Sequence, residues 1–330
     1  MYEAFFELSA RPFDLTPSPK FLVLTDSHRE ALRNLEYAIA SRKGVTLLVG
    51  DAGAGKTTVI RAALEAQPST VHCVHLNNPA LTRDEFVELL AARFGLSPRA
   101  SGSKSQLLLE LETLLRDRHA AGETTVLVVD EAQSLSLELL EEIRLLANIE
   151  TDTEKLVSVI LAGQPELADR LNDPSLRQLK QRVALRCTIR LLTAAETEVY
   201  IACRIHAAGG KASLAFTREA VRRIHEASRG LPRVINVLGD NALLGGFAAG
   251  VRPVTAEIVE DVCRDFDFGL VTERHGPAVA PPVPGSDRSA ASDGPGGPSS
   301  EVPSATPREG QGDLFGSFAR RRRKFSFFWG

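Results

Sequence analysis

"LLVGDAGAGKTTVI", residues 47–60, runs from an apolar stretch through a glycine-rich turn into a lysine, two threonines and a second apolar stretch. Gly50, Asp51, Ala52, Gly53, Ala54, Gly55, Lys56 and Thr57 fit the pattern G-x-x-x-x-G-K-[ST] at every fixed position. Glycines allow the backbone to turn tightly and aim its N–H groups at phosphate oxygens. The N-terminus of the following helix adds positive potential. The segment from Gly50 to Thr58 therefore reads as a phosphate cradle, with Lys56 placed for the β- and γ-phosphates and Thr57 for Mg²⁺.

Around this cradle, short β-rich runs alternate with helix-length segments. The runs lie at 44–50, 70–76, 124–130, 155–163 and 183–191, and such alternation predicts a parallel sheet covered on both faces. After Thr193 the strands stop. Four stretches of helical period, several opening on Ser, Thr or Pro, predict a small all-helical lid up to about residue 270. The expected organisation is an α/β nucleotide-binding domain over 1–191 and the lid over 192–270. A Pro/Gly/Ser-rich linker over 271–319, too poor in apolar period to fold, and a tail over 320–330 would follow. The tail joins five cations, Arg320 to Lys324, to Phe325, Phe327, Phe328 and Trp329. Cations and interfacial aromatics suit an anionic membrane surface, although a solvated charge run fits the same residues.

A magnesium-assisted cradle needs an acidic partner at the end of another strand. "VLVVDEAQ" supplies Asp130 for the metal and Glu131 to polarise an attacking water. Two acids there also suit a helix N-terminus, and the upstream cradle favours the first reading. The strand inserted between Lys56 and Asp130, with a glutamate beside the aspartate, marks the P-loop branch that includes motors and AAA+ ATPases. No guanine-reading NKxD-like motif is found, which favours ATP. Gln164 follows the fourth strand, beside the expected γ-phosphate, where a plain loop amide would fit equally well. Arg233, in "SRGLPRVINVL", opens a lid helix from which it can reach the nucleotide phosphates; a helix-capping role is the alternative.

These motifs, with "FFELSARPFDLTPSPKFLVLTDSHREALRNLEYAI", "VVDEAQSLSLELLEEIRLLANIET", "LAGQPEL", "LRQLKQRVALR" and "GLPRVINVL", resemble the AAA+ ATPases of the ExeA/GspA secretion group. The resemblance spans residues 1 to about 268. It implies a sensor-1 role for Gln164 and a sensor-2 role for Arg233, with the N-terminal segment through His28 packed over the adenine. It also implies a homo-oligomer, in which Arg182, just before the last strand, acts as arginine finger. Arg177 is the weaker candidate, and a structural salt bridge is the competing role for Arg182. The implied partner is a membrane-associated export or polysaccharide system. Secretion members continue into a transmembrane helix and a periplasmic peptidoglycan-binding region, in place of which this sequence has the Pro/Gly/Ser stretch.

A different class, ATP-gated DNA-binding adaptors of the TniB/TnsC transposition type, resembles the same core. Net charge is −3, so nucleic acid finds no overall electrostatic attraction, and the lid's Arg222, Arg223 and Arg229 suit a solvated helix face as well. Four scattered cysteines without metal or redox spacing, and no signal peptide, point to a reduced, cytoplasmic setting.

Overall fold

A computed structural model describes residues 1–14, 21, 23–77 and 81–267. The linker and tail expected beyond residue 270 lie outside the described residues.

Each of the five β-rich runs forms a strand: β1 (Val45–Val49), β2 (Val71–Leu76), β3 (Thr124–Val129), β4 (Val157–Gly163) and β5 (Val183–Thr188). All pair in parallel, in the order β2-β3-β4-β1-β5. Every residue of β1 and β4 is buried, which is why those runs are mostly apolar, Thr46 and Ser158 apart, rather than alternating. Because all five strands run parallel, the loops after β1, β3 and β4 leave from one edge of the sheet, with β1 between β4 and β5. Ligand sites of open α/β sheets form at that edge.

The helices α1 (Tyr2–Phe5), α2 (Asp26–Ala40) and α3 (Lys56–Glu65) come early in the chain. Ala31, Leu35 and Ile39 of α2, with Val59, Ile60 and Ala63 of α3, cover one face of the sheet against Leu48, Val126, Val128 and Ile160. The i, i+4, i+8 spacing in α2 turns one stripe of the helix onto the strands. The opposite face carries α4 (Arg83–Phe94), α5 (Pro98–Ser101), α6 (Lys104–Ala120), α7 (Leu137–Leu146), α8 (Pro165–Arg170) and α9 (Arg177–Gln181). Leu107, Leu111 and Leu115 of α6 and Leu139, Leu140 and Ile143 of α7 join its core with Leu127, Val159 and Leu161.

The lid comprises α10 (Ala194–Ala207), α11 (Ala212–Ala215), α12 (Arg218–Ser228), α13 (Pro232–Ala249) and α14 (Ala256–Asp265). That is one helix more than the sequence pattern suggests, because four residues are too few to display a helical period. Thr193 and Glu196 form a capping box that starts α10, and Thr217 caps α12. Gly230 has φ +77°, and a Cβ there would lie 2.0 Å from the carbonyl oxygen of Leu192. Only glycine permits this crossing, in which the Leu192 N–H donates to the Gly230 carbonyl at 2.9 Å. The start of α13 is thereby tied to the segment that leaves β5.

The first 14 residues pack with the lid rather than against the sheet. Tyr2, Phe6, Leu8 and Phe13 are buried among Tyr200, Ile205, Phe216, Ile235 and Leu238. Backbone and side-chain bonds secure them: Ser9 N–H donates to Ala208 O at 2.7 Å, and Arg252 Nη1 donates to Phe5 O at 2.8 Å. Tyr2 hydroxyl donates to Asp240.

Candidate active site

The loop after β1 turns through Gly53 (φ +82°) and Gly55 (φ +99°), both in the left-handed region. A Cβ on Gly53 would stand 2.7 Å from Arg233 Cβ, so the cradle and the lid meet at van der Waals range. Helix α3 opens at Lys56 with no side chain capping its first turn, leaving its N–H groups available to an anion. Asp51 and Ala52 form the exposed tip of the loop, and Ala54 is buried beneath it. Lys56 is only 4% exposed, and its Nζ donates to Gly50 O at 2.9 Å and Asp51 O at 3.1 Å. An ammonium has three donors, so one is left to turn toward the cleft.

Asp130 extends the β3 ladder by one residue, its N–H donating to Leu76 O at 3.0 Å. This fixes the carboxylate at the sheet edge, where Thr57 Oγ1 donates to Asp130 Oδ2 at 2.6 Å. A hydroxyl and a carboxylate oxygen held together at the base of a phosphate cradle are the hard-oxygen donor pair that Mg²⁺ takes with phosphate. The residues therefore fit the metal that the fold implies.

Glu131 occupies the left-handed region (φ 53°), which turns its side chain back along the edge. Its carboxylate accepts from Gln133 Nε2 at 2.6 Å, with Gln164 Nε2 approaching at 3.5 Å. Gln133 Oε1 accepts the Gln164 backbone N–H at 3.0 Å, and Gln133 O accepts from Arg170. One side chain thus links the ends of β3 and β4. Gln133 was not singled out from sequence, although it lies within the quoted "VLVVDEAQ". A 3₁₀ turn over Ala132–Ser134 folds residue i+2 back onto residue i.

Lid and core enclose two adjoining cavities. One, of about 390 Å³, is lined by Gly53, Lys56, Thr57, Glu131, Arg233 and Asn236, among others. The second, about 80 Å³, is bounded by Phe21, Val23, His28, Ala54 and Tyr200. Gly55, Thr58 and Pro232 line both. A polar cleft opening into a small aromatic and apolar pocket matches a polyphosphate joined to a base. His28 borders the smaller pocket and is 5% exposed, and its ring nitrogens meet Ala54 O at 2.9 Å and Thr25 Oγ1 at 2.6 Å. A carbonyl only accepts, so Nε2 carries the proton and Nδ1 accepts from Thr25. Burial holds the His28 pKa below its ordinary value, in keeping with this neutral ring.

Gly50 to Thr58, Asp130, Glu131, Gln164 and Arg233 are therefore brought to one cleft. Arg182 is not. It is half-buried at the entry to β5, whereas the cleft lies beyond that strand's exit, since Thr188 pairs with Val49. Six residues of strand separate the two ends, or about 20 Å. Arg177 is exposed at the start of α9, on the same far side.

A sequence model described as an AAA domain matches residues 39–171. The chain is an AAA+ protein. This AAA+ protein is 40% identical over 256 residues to General secretion pathway protein A of Aeromonas hydrophila, covering 77% of the chain and 46% of that relative. It spans about half the relative's length, and the resemblance to the secretion group expected from the motifs is borne out over that shared part. A Mu-like prophage DNA transposition protein B of Haemophilus influenzae is 27% identical over 198 residues, 58% of this chain and 63% of that protein. Among solved structures, Cdc6p of Pyrobaculum aerophilum superposes with a TM-score of 0.61 at 18% identity, over 77% of this chain and 70% of that one. The Aeropyrum pernix ORC2 protein, solved with ADPNP and ADP, gives 0.57 at 18%, over 78% and 72%. These structures bear out the α/β fold with its helical lid. No helix among the described residues is long and apolar enough to cross a membrane.

Proposed function

We propose that this AAA+ protein binds ATP with Mg²⁺ and hydrolyses it, and that the nucleotide cycle drives or times assembly of a membrane-associated export or polysaccharide system. The observation that carries the chemistry is the 2.6 Å contact between Thr57 and Asp130 beneath a phosphate cradle, with Glu131 beside it. In this reading Thr57 and Asp130 hold the metal, which when bound neutralises charge on the β- and γ-phosphates. Lys56 exchanges its bonds to the Gly50 and Asp51 carbonyls for phosphate oxygens. Glu131 orients the attacking water and takes its proton, with Gln164 beside it, and Arg233 closes the lid onto the phosphates. The system assignment rests on the similarity to General secretion pathway protein A.

Two substitutions separate binding from chemistry. Lys56→Ala should abolish tight ATP binding and turnover together, whereas Glu131→Gln should bind ATP and hydrolyse it at least about a hundredfold more slowly. Normal turnover in Glu131→Gln would remove Glu131 as the base.

The protein acts as a homo-oligomer in this proposal, each subunit's Arg182 completing its neighbour's site, because Arg182 stands too far from its own. It works in the cytoplasm, with a peripheral membrane contact through residues 320–330 that rests on their sequence alone. Sedimentation with anionic vesicles before and after deletion of 314–330 tests that contact. The likeness to a DNA transposition protein supports a second reading, an ATP-gated DNA-binding adaptor. Anisotropy measurements showing salt-dependent DNA binding only with ATP would favour it over the export role.

A further inference from the structure

Asn236 lies one helical turn beyond Arg233, within the quoted "GLPRVINVL", and lines the larger cavity, yet its sequence context assigns it no role. Its side chain is fixed from behind. Arg204 of α10 is buried, its guanidinium donating to the carbonyls of Pro12 and Asp14 and, through Nη1, to the Tyr200 hydroxyl oxygen at 2.8 Å. The rings of Phe21, Tyr200 and Phe13 stand 5.3, 5.5 and 6.0 Å from it. An arginine can only donate, so the Tyr200 oxygen accepts and its own proton goes to the other partner, Asn236 Oδ1, at 3.0 Å. That leaves the Asn236 amide with its NH₂ group toward the cavity, and among the described residues none accepts from it. A charge at the head of such a relay polarises each bond in turn and makes the terminal NH₂ a better donor.

We propose that Asn236 is a nucleotide-binding residue, whose NH₂ donates to an oxygen of the ribose or α-phosphate, with Tyr200 and Arg204 as the positioning residues that aim it. The location follows from the two cavities. Asn236 lines the phosphate side and its partner Tyr200 lines the base side, so the amide stands at their seam. Between a base and its β-phosphate lie only the ribose and the α-phosphate, both rich in acceptor oxygens. Such a contact serves di- and triphosphates alike, whereas in this reading Lys56 and Arg233 also meet the γ-phosphate, which only the triphosphate carries. The inference rests on the reading of the cleft as an ATP site.

Calorimetric titration of the full chain with ADP and with a non-hydrolysable ATP analogue tests it. Asn236→Asp keeps the shape but replaces the donor by a negative charge, and should weaken both nucleotides by the same factor, about tenfold or more. Tyr200→Phe keeps the ring and removes the hydroxyl, and should weaken both about three- to tenfold. The double variant should lose less than the product of the two, because the substitutions break one chain of bonds. Arg233→Ala, as comparator, should penalise the triphosphate more than the diphosphate. Unchanged affinities in Asn236→Asp would overturn the proposal, as would a loss confined to the triphosphate analogue. If Tyr200→Phe lowered the melting temperature without nucleotide but left both affinities intact, the relay would be packing alone and its positioning role would fall. A wild-type chain that bound neither nucleotide would overturn the ATP reading itself, a result the variants do not share.

Discussion

A carboxylate that takes a proton from water must be held in register with it, and Glu131 is held by a neighbouring amide. Because Gln133 bonds Glu131 at one end and the Gln164 backbone at the other, its loss frees the base and removes the side-chain link between the loops that follow β3 and β4. Gln133→Ala should lower kcat by up to about a hundredfold while KM for ATP changes little, since displacement of about 1 Å costs that much in rate. Steady-state kinetics separate the two constants, and an equal rise in KM would point to a damaged cleft instead. Lys56, Thr57, Asp130 and Glu131 were legible in the sequence because local spacing fixes their geometry. Gln133 and Asn236 were not. The first depends on the sense of a 3₁₀ turn, and the second on a hydroxyl 36 residues away.

Among the elements, the inner strands β1, β3 and β4 were the most legible, because burial on both faces leaves them little polar alternation. Helix α11 was illegible for its brevity. The N-terminal turn of α2 is joined to the phosphate loop through Thr25, His28 and Ala54, and this joint should respond to pH. His28 is depressed by burial, so below the ordinary value of 6.5 the unfolded chain takes up a proton that the folded chain refuses. The joint's contribution to stability should be complete above pH 6.5 and decline as pH falls below it toward the folded pKa. Urea midpoints on both sides of that value should diverge more for the wild type than for His28→Gln, and parallel curves would exclude His28 as the source. At the far end of β5, Arg182→Ala should bind ATP normally but hydrolyse it about 10³-fold more slowly. Mixing it with Lys56→Ala, once subunit exchange is established, should restore part of the rate. An unchanged rate in Arg182→Ala alone would reassign the residue to structure.

Across the whole molecule, the chain begins in the lid, crosses to the sheet at α2 and returns to the lid after β5. The apolar character of Tyr2, Phe6 and Phe13 was visible in the sequence, but not which core they join, since periodicity carries no information about partners hundreds of residues away. Phe6 is fully buried, and Phe6→Ala should cost the lid about 3–5 kcal/mol, read by chemical denaturation with a probe in α13. A loss below about 1 kcal/mol would mean that the segment docks without contributing. The route of the chain also sets a timetable on the ribosome. Phe13 emerges 191 residues before Arg204, which holds the backbone on either side of it, and at about 5–20 residues per second that is a wait of about ten to forty seconds. β5 (Val183–Thr188) completes the sheet only near the end of that interval, and until Arg204 follows it three aromatic side chains stay in water. The nascent protein should therefore be a better client of holding chaperones than its finished form, and a synonymous slowdown early in the lid-coding region should lower its soluble yield.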